Sequence, residues 1–426
     1  MEQLKKQVCD YIESHEEESV KFLKRLIQEK SVSGEESGAQ AIVIEKLREL
    51  GLDLDIWEPS FSKMKDHPYF VSPRTSFSDS PNIVATLKGS GDGKSMILNG
   101  HIDVVPEGDV NQWDHHPYSG EKIGNRIYGR GTTDMKGGNV ALMLAMEAII
   151  ESRIELKGDI YFQSVIEEES GGAGTLATIL RGYKADGVII PEPTNMKFFP
   201  KQQGSMWFRL HVKGKAAHGG TRYEGVSAIE KSMFVVDHLR KLEEKRNDRI
   251  TDPLFKGIPI PIPINIGKIE GGSWPSSVPD SLILEGRCGI APNETIEAAK
   301  EEFENWIAEL NDVNNWFVEN PVEVEWFGAR WVPGELEENH ELITTLEHNF
   351  VEIEGNKPII EASPWGTDGG LFTQIAGVPT IVFGPGETKV AHYPNEYIEV
   401  DKMIAAAKII ACTLLDLSLI HISDGA

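Results

Sequence analysis

Between Ser95 and Ile190 the chain alternates apolar strand and apolar helix, and each strand runs out into a side chain able to bind a metal. Ser95-Met96-Ile97-Leu98-Asn99-Gly100 ends at His101-Ile102-Asp103. A second strand, Asp159 to Ile166, ends at Glu167-Glu168-Glu169, and a third, Gly187 to Ile190, at Glu192. Between the first two, Asp134 precedes the helix Asn139 to Ser152, which is apolar nearly all round and reads as a core helix. Gly137 and Gly138 at its head permit close backbone approach. Strands alternating with helices build a largely parallel sheet, and such a sheet binds ligands beyond the carboxyl ends of its strands. The order therefore gathers these side chains on one sheet edge. His392, shortly past the strand Thr380 to Phe383, joins them.

Each group alone has an ordinary explanation. Asp134 could simply cap a helix, and Glu167-Glu168-Glu169 could be a solvated acidic loop. His101 and Asp103 share a face of an extended chain, which suits a carboxylate that orients an imidazole but also suits a plain strand end. The set is more informative than its parts. Two histidines and several carboxylates, without cysteine, suit two divalent ions, zinc first, with cobalt or manganese fitting the same donors.

Elsewhere, helices are expected over 4–30 and from Glu36 to Leu50, the latter stopped by Gly51. Asp55 to Asp79 reads as an irregular surface excursion. From Gly204 the pattern changes. Strands Met206 to Val212, Ile262 to Ile269, Ser281 to Ile290 and Val322 to Phe327, with helices Gly225 to Lys245 and Glu294 to Leu310, follow the order βαββαβ, the ferredoxin-like arrangement. After Pro333 the α/β pattern resumes, with helices over 336–354 and 400–417 and a loose tail from Leu417 to Ala426. The fold class is α/β: a large mixed-sheet domain (1–202 and 332–426) interrupted by an inserted ferredoxin-like domain (203–331).

A net charge of −25 argues against nucleic-acid or anionic-membrane partners. The three cysteines, Cys9, Cys288 and Cys412, are far apart with no CxxC pair, which speaks for a reducing compartment and against a thiolate metal site. With no secretory leader and no long apolar run, a cytoplasmic protein is expected.

His101-Ile102-Asp103, Gly131-Thr132-Thr133-Asp134-Met135-Lys136-Gly137-Gly138, Glu168-Glu169-Ser170-Gly171-Gly172, Glu192-Pro193-Thr194 and Ala391-His392 together resemble the metal motifs of the M20 metallopeptidase/amidohydrolase family, in order from about Asn82 to the last helix. That family includes acetylornithine deacetylase, succinyl-diaminopimelate desuccinylase, aminoacylase and glutamate carboxypeptidase. The resemblance implies that the large domain is a metallohydrolase domain and the inserted one its lid or dimerisation domain. It also implies that Asp134 bridges two metals, with His101 and Glu192 completing one site and Glu169 and His392 the other. It further implies that Asp103 holds His101, that the Asp134–Met135 peptide is cis, and that Glu168 is the general base. Glu167 stands where relatives commonly carry Asp. In the inserted domain, His218 within Gly214-Lys215-Ala216-Ala217-His218-Gly219-Gly220 would steady a tetrahedral oxyanion, often in a partner subunit, and Arg287 would bind a substrate carboxylate.

The implied reaction is dinuclear-metal hydrolysis of a small-molecule N-acyl amide, as in acetylornithine deacetylase, by a homodimer that pairs through the inserted domain. A deformylase of a formylated aminopyrimidine, an aminoacylase or carboxypeptidase, and a metal-binding protein without catalysis are the alternatives.

Overall fold

The helix Gly137–Glu151 is buried from Gly137 through Met146 and again at Ala148 and Ile149. A helix with no polar face has nowhere to go but the interior. In the computed structural model, which describes residues 1–419, it packs against the helices Glu2–Ser14 and Val400–Leu419 and against the strand Met96–His101. It belongs to the first of two units, made of Met1–Lys201, Gly334–Glu361 and the stretch from Thr367 onward. Leu417 to Leu419, expected in a tail, complete the last helix, and residues 420–426 lie outside the described residues.

Among the described residues the first unit carries a nine-stranded mixed sheet. Its centre is parallel: Ile160–Val165, Met96–His101, Gly187–Ile190 and Thr380–Val382 lie side by side in that order. These strands are buried at nearly every position, as a strand covered on both faces must be. Antiparallel strands flank them, Asn82–Leu87 and then Asp53–Trp57 on one side and Phe198–Gln202 on the other. All four central strands point their carboxyl ends the same way, which fixes the edge where a site can form.

The second unit, Gln202–Pro333 with Ala362–Gly366, holds a four-stranded antiparallel sheet in the order Ile264–Gly271, Ser281–Ile290, Gly204–Lys213, Glu323–Trp331. With the helices Ala228–Asn247 and Ile296–Ala308 this is the expected βαββαβ unit, its first and third strands central. Met206, Phe208, Leu210 and Val212 are buried, while Trp207, Arg209, His211 and Lys213 between them are not. The alternation is that of a sheet with one covered face.

Several expectations are corrected. The helix expected over 4–30 is two helices, Glu2–Ser14 and Glu16–Gln28. At the break, Ser14 Oγ and His15 Nδ1 both bond the Tyr11 carbonyl at 2.8 Å, and Glu16, Glu17 and Glu18 then supply the negative charge that favours a new helix start. Asp53–Trp57, expected to be partly irregular, pairs as an edge strand, and Phe198–Gln202, not expected at all, pairs despite Pro200. Cys9 and Cys412, far apart in sequence, meet with their sulfurs 3.7 Å apart as free thiols. No helix among the described residues is long and apolar enough to cross a membrane.

Candidate metal centre

His101 is the last residue of its strand and is buried. Its Nδ1 lies 2.8 Å from the backbone carbonyl of Asp103. A carbonyl can only accept, so Nδ1 carries a proton, and in the neutral ring the lone pair is the one on Nε2, facing the site. The hydrogen bond that orients the imidazole thus goes to the Asp103 carbonyl, where the chain leaves the strand and turns. The Asp103 carboxylate, with Oδ1 3.7 Å from Nδ1, instead accepts the backbone N–H groups of Glu168 (3.3 Å) and Glu169 (3.1 Å). Burial pushes its pKa up to about 8.

Asp134 sits in the irregular turn Thr132–Lys136, and its peptide to Met135 is cis. The backbone N–H groups of Thr133 and Asp134 both donate to Glu396 Oε1, at 2.9 and 3.2 Å. Glu396 is fully buried and paired with the buried guanidinium of Arg130. At the head of the next helix Gly138 abuts the strand end before Glu192, where a Cβ would stand 2.2 Å from the Pro191 carbonyl oxygen. Only glycine fits there.

The two oxygens of Asp134 face different imidazoles. Oδ1 lies 3.3 Å from His101 Nε2, and Oδ2 lies 3.2 Å from His392 Nε2. His101 Nε2 is also 3.7 Å from Glu192 Oε1, and His392 Nε2 is 3.2 Å from Glu169 Oε1. Two donors about 2.1 Å from one tetrahedral ion stand about 3.4 Å apart, so these spacings fit. Ligand atoms of His101, Asp134 and Glu169 lie within 4.8 Å of one another, as do those of His101, Glu168 and Glu192.

The electrostatics fit as well. Burial raises Glu168 and Glu192 well above the usual carboxylate range, and the negative charge of Glu192 beside the first and of Asp134 beside the second adds to it. Burial would lower His101, yet Asp134, Glu192, Asp103 and Glu168 raise it well above its ordinary value. Glu169, Asp134 and their bonds to His392 push that imidazole up to about 12 against its desolvation. Asp134, despite its burial, is held low by the two imidazoles. Buried negative charge is in excess here, and divalent cations would balance it.

The first unit thus brings together His101, Asp103, Asp134, Glu168, Glu169, Glu192 and His392. The other two expected residues belong to the second unit. His218 is exposed, and its Nδ1 accepts the Gly220 N–H at 3.0 Å. Arg287, on the strand Ser281–Ile290, keeps buried Nε and Nη2 atoms with no hydrogen-bond partner. Sequence reasoning missed Arg130 and Glu396. Their one signal was a charged residue inside the glycine-rich Tyr128-Gly129-Arg130-Gly131, which a core placement would force to find a partner.

Residues 97–416 match the model of the peptidase family M20/M25/M40. The chain is 32% identical over 422 residues, 94% of each chain, to N-formyl-4-amino-5-aminomethyl-2-methylpyrimidine deformylase of Bacillus subtilis. It is 28% identical over 351 residues, 75% of this chain and 82% of the relative, to a probable succinyl-diaminopimelate desuccinylase of Staphylococcus aureus. In fold it is similar to the di-peptidase Dug1p of Saccharomyces cerevisiae, with a TM-score of 0.77 at 16% identity, covering 97% of this chain and 98% of that one. The chain belongs to the peptidase family M20/M25/M40 and is a hydrolase that acts on amide bonds.

Proposed function

We propose that the chain is a dinuclear-metal deacylase whose substrate is a formylated aminomethylpyrimidine, cleaved to formate and the free amine. The observation that carries the chemistry is Asp134, with one oxygen toward each of two imidazoles. The substrate class follows the likeness to the Bacillus subtilis deformylase over 94% of both chains.

His101 and Glu192 would hold one ion, Glu169 and His392 the other, and Asp134 both, with zinc favoured and cobalt or manganese suited to the same donors. Such ions supply a polarised amide carbonyl and a water acidic enough to attack it near neutral pH. Glu168 acts as the base: a carboxylate oxygen takes the water's proton and passes it to the amide nitrogen as the C–N bond breaks. Its burial beside Glu192 suits it to hold that proton between the two steps. Asp103 steadies the base by accepting the N–H groups of Glu168 and Glu169.

His218 is assigned to the oxyanion. Because its Nδ1 accepts from Gly220, the neutral ring carries its proton on Nε2 and can donate. We place it in the partner's site of a homodimer formed through the second unit; full activity in a chain that sediments as a monomer contradicts this. With three cysteines and no CxxC pair, the enzyme is placed in the cytoplasm.

A second reading rests on Arg287. Its unpartnered Nε and Nη2 suit a carboxylate, which the aminopyrimidine lacks and an N-acyl amino acid carries. A panel of N-formyl, N-acetyl and N-succinyl derivatives of an aminomethylpyrimidine and of amino acids separates the two. The expected result is that the N-formyl pyrimidine turns over fastest, with activity lost to chelation and restored by zinc. Faster turnover of an amino-acid derivative, abolished in Arg287→Met, supports the second reading and overturns the first.

A further inference from the structure

The excursion between Asp55 and Asp79 has no part in the mechanism above, yet it reaches the turn that carries the base. Glu167 opens that turn at φ 63°, a left-handed conformation uncommon outside glycine. Its carboxylate is fully buried and accepts four hydrogen bonds, from Ser33 Oγ, from Ser72 Oγ at 2.6 Å, from Ser170 Oγ at 2.8 Å and from Arg74 Nη1 at 3.1 Å. Four donors fill the lone-pair sites of a carboxylate.

Arg74 is itself fixed. It faces a second fully buried carboxylate, Glu36, at 3.0 Å and donates to Ser80 Oγ at 2.8 Å, while Ser80 Oγ donates to Glu36 at 2.6 Å. One guanidinium therefore offsets two buried negative charges, and removing it would leave both uncompensated. At the other side of the turn the N–H groups of Glu168 and Glu169 are tied to Asp103. The turn is gripped through its backbone by Asp103 and through Glu167 by the excursion. Glu168 and Glu169 are the side chains left to face the site.

We propose that Glu167 and Arg74 are positioning residues for Glu168, so that the excursion, through Arg74 and Ser72, sets the aim of the base. The inference rests on the reading of Glu168 as base. Its departure from the family pattern then has a physical use: the extra methylene of Glu167, relative to Asp, carries its carboxylate out to Ser72 and Arg74.

The test uses the full chain loaded with zinc and compares Arg74→Met, Arg74→Lys, Ser72→Ala, Glu167→Gln and the double variant Arg74→Met/Glu167→Gln, with Glu168→Gln alongside. Arg74→Met is expected to lower kcat on the order of 10- to 100-fold with KM within about twofold, zinc content unchanged, and partial recovery in Arg74→Lys. Glu167→Gln is expected to cost less in the Arg74→Met background than alone, because both act through one contact. If Arg74→Met does not fold, Ser72→Ala decides, since it removes one neutral hydrogen bond from the same carboxylate and a lower kcat at unchanged KM is expected there too. Wild-type kcat in the folded variants, measured below each variant's Tm, overturns the proposal even if Tm falls, as does strict additivity in the double variant. Wild-type kcat in Glu168→Gln overturns the base reading instead.

Discussion

Glu168→Gln is expected to lower kcat on the order of 10³-fold while zinc content stays at the wild-type level. Glutamine keeps the shape of the side chain and leaves the backbone N–H of residue 168 free to donate to Asp103. What it removes is the proton acceptor. The readout separates two roles, because Glu168 also has a ligand atom within 4.8 Å of those of His101 and Glu192. Lost turnover with zinc retained identifies a base. Loss of zinc together with turnover would make Glu168 a ligand, and near-normal turnover would place the base elsewhere.

Arg130→Met is expected to cost about 3–5 kcal/mol in the urea unfolding of metal-free protein, because it leaves Glu396 as a buried charge without its partner. Side-chain exposure is 2% for Arg130 and 0% for Glu396, so solvent screens neither. Burial already pushes the Glu396 pKa up to about 7, with Arg130 acting to lower it. A carboxyl whose folded pKa is raised favours the folded state most when protonated, and that contribution is lost as pH rises through the folded value. The variant loses the lowering effect of Arg130, so its deficit should be larger at about pH 8 than at about pH 5. The same change loosens the hold of Glu396 on the N–H groups of Thr133 and Asp134, so zinc affinity falls as well. A deficit below about 1 kcal/mol would mean that the pair contributes no more than an exposed one.

The clustering of the candidate site residues was legible because it follows from two local facts, apolar strands and what stands at their ends. A parallel centre makes one edge of all those ends, so His101, Glu168, Glu169 and Glu192 converge without any knowledge of register. The ferredoxin-like unit was legible for a similar reason: its strands and helices differ in period, and their order alone limits the topology. What holds these residues in place was not legible. Arg130 and Glu396 are 266 residues apart, and Arg74 and Glu167 are 93 apart, and no periodicity announces a partner at that distance. That the His101 imidazole bonds the Asp103 carbonyl was not legible, since strand alternation describes side chains only while the strand lasts, and His101 is its last residue. The break at His15 was hidden because hydrophobic spacing continues through it, while hydrogen bonds to the Tyr11 carbonyl end the helix.

The central claim, a two-ion site bridged by Asp134, is tested most directly by titrating the demetallated chain with zinc while following bound metal and turnover of the N-formyl substrate together. The account predicts that turnover reaches its plateau only with the second equivalent bound, and that Asp134→Ala binds neither ion tightly. Full turnover with a single equivalent bound, or tight binding of both ions by Asp134→Ala, would contradict it.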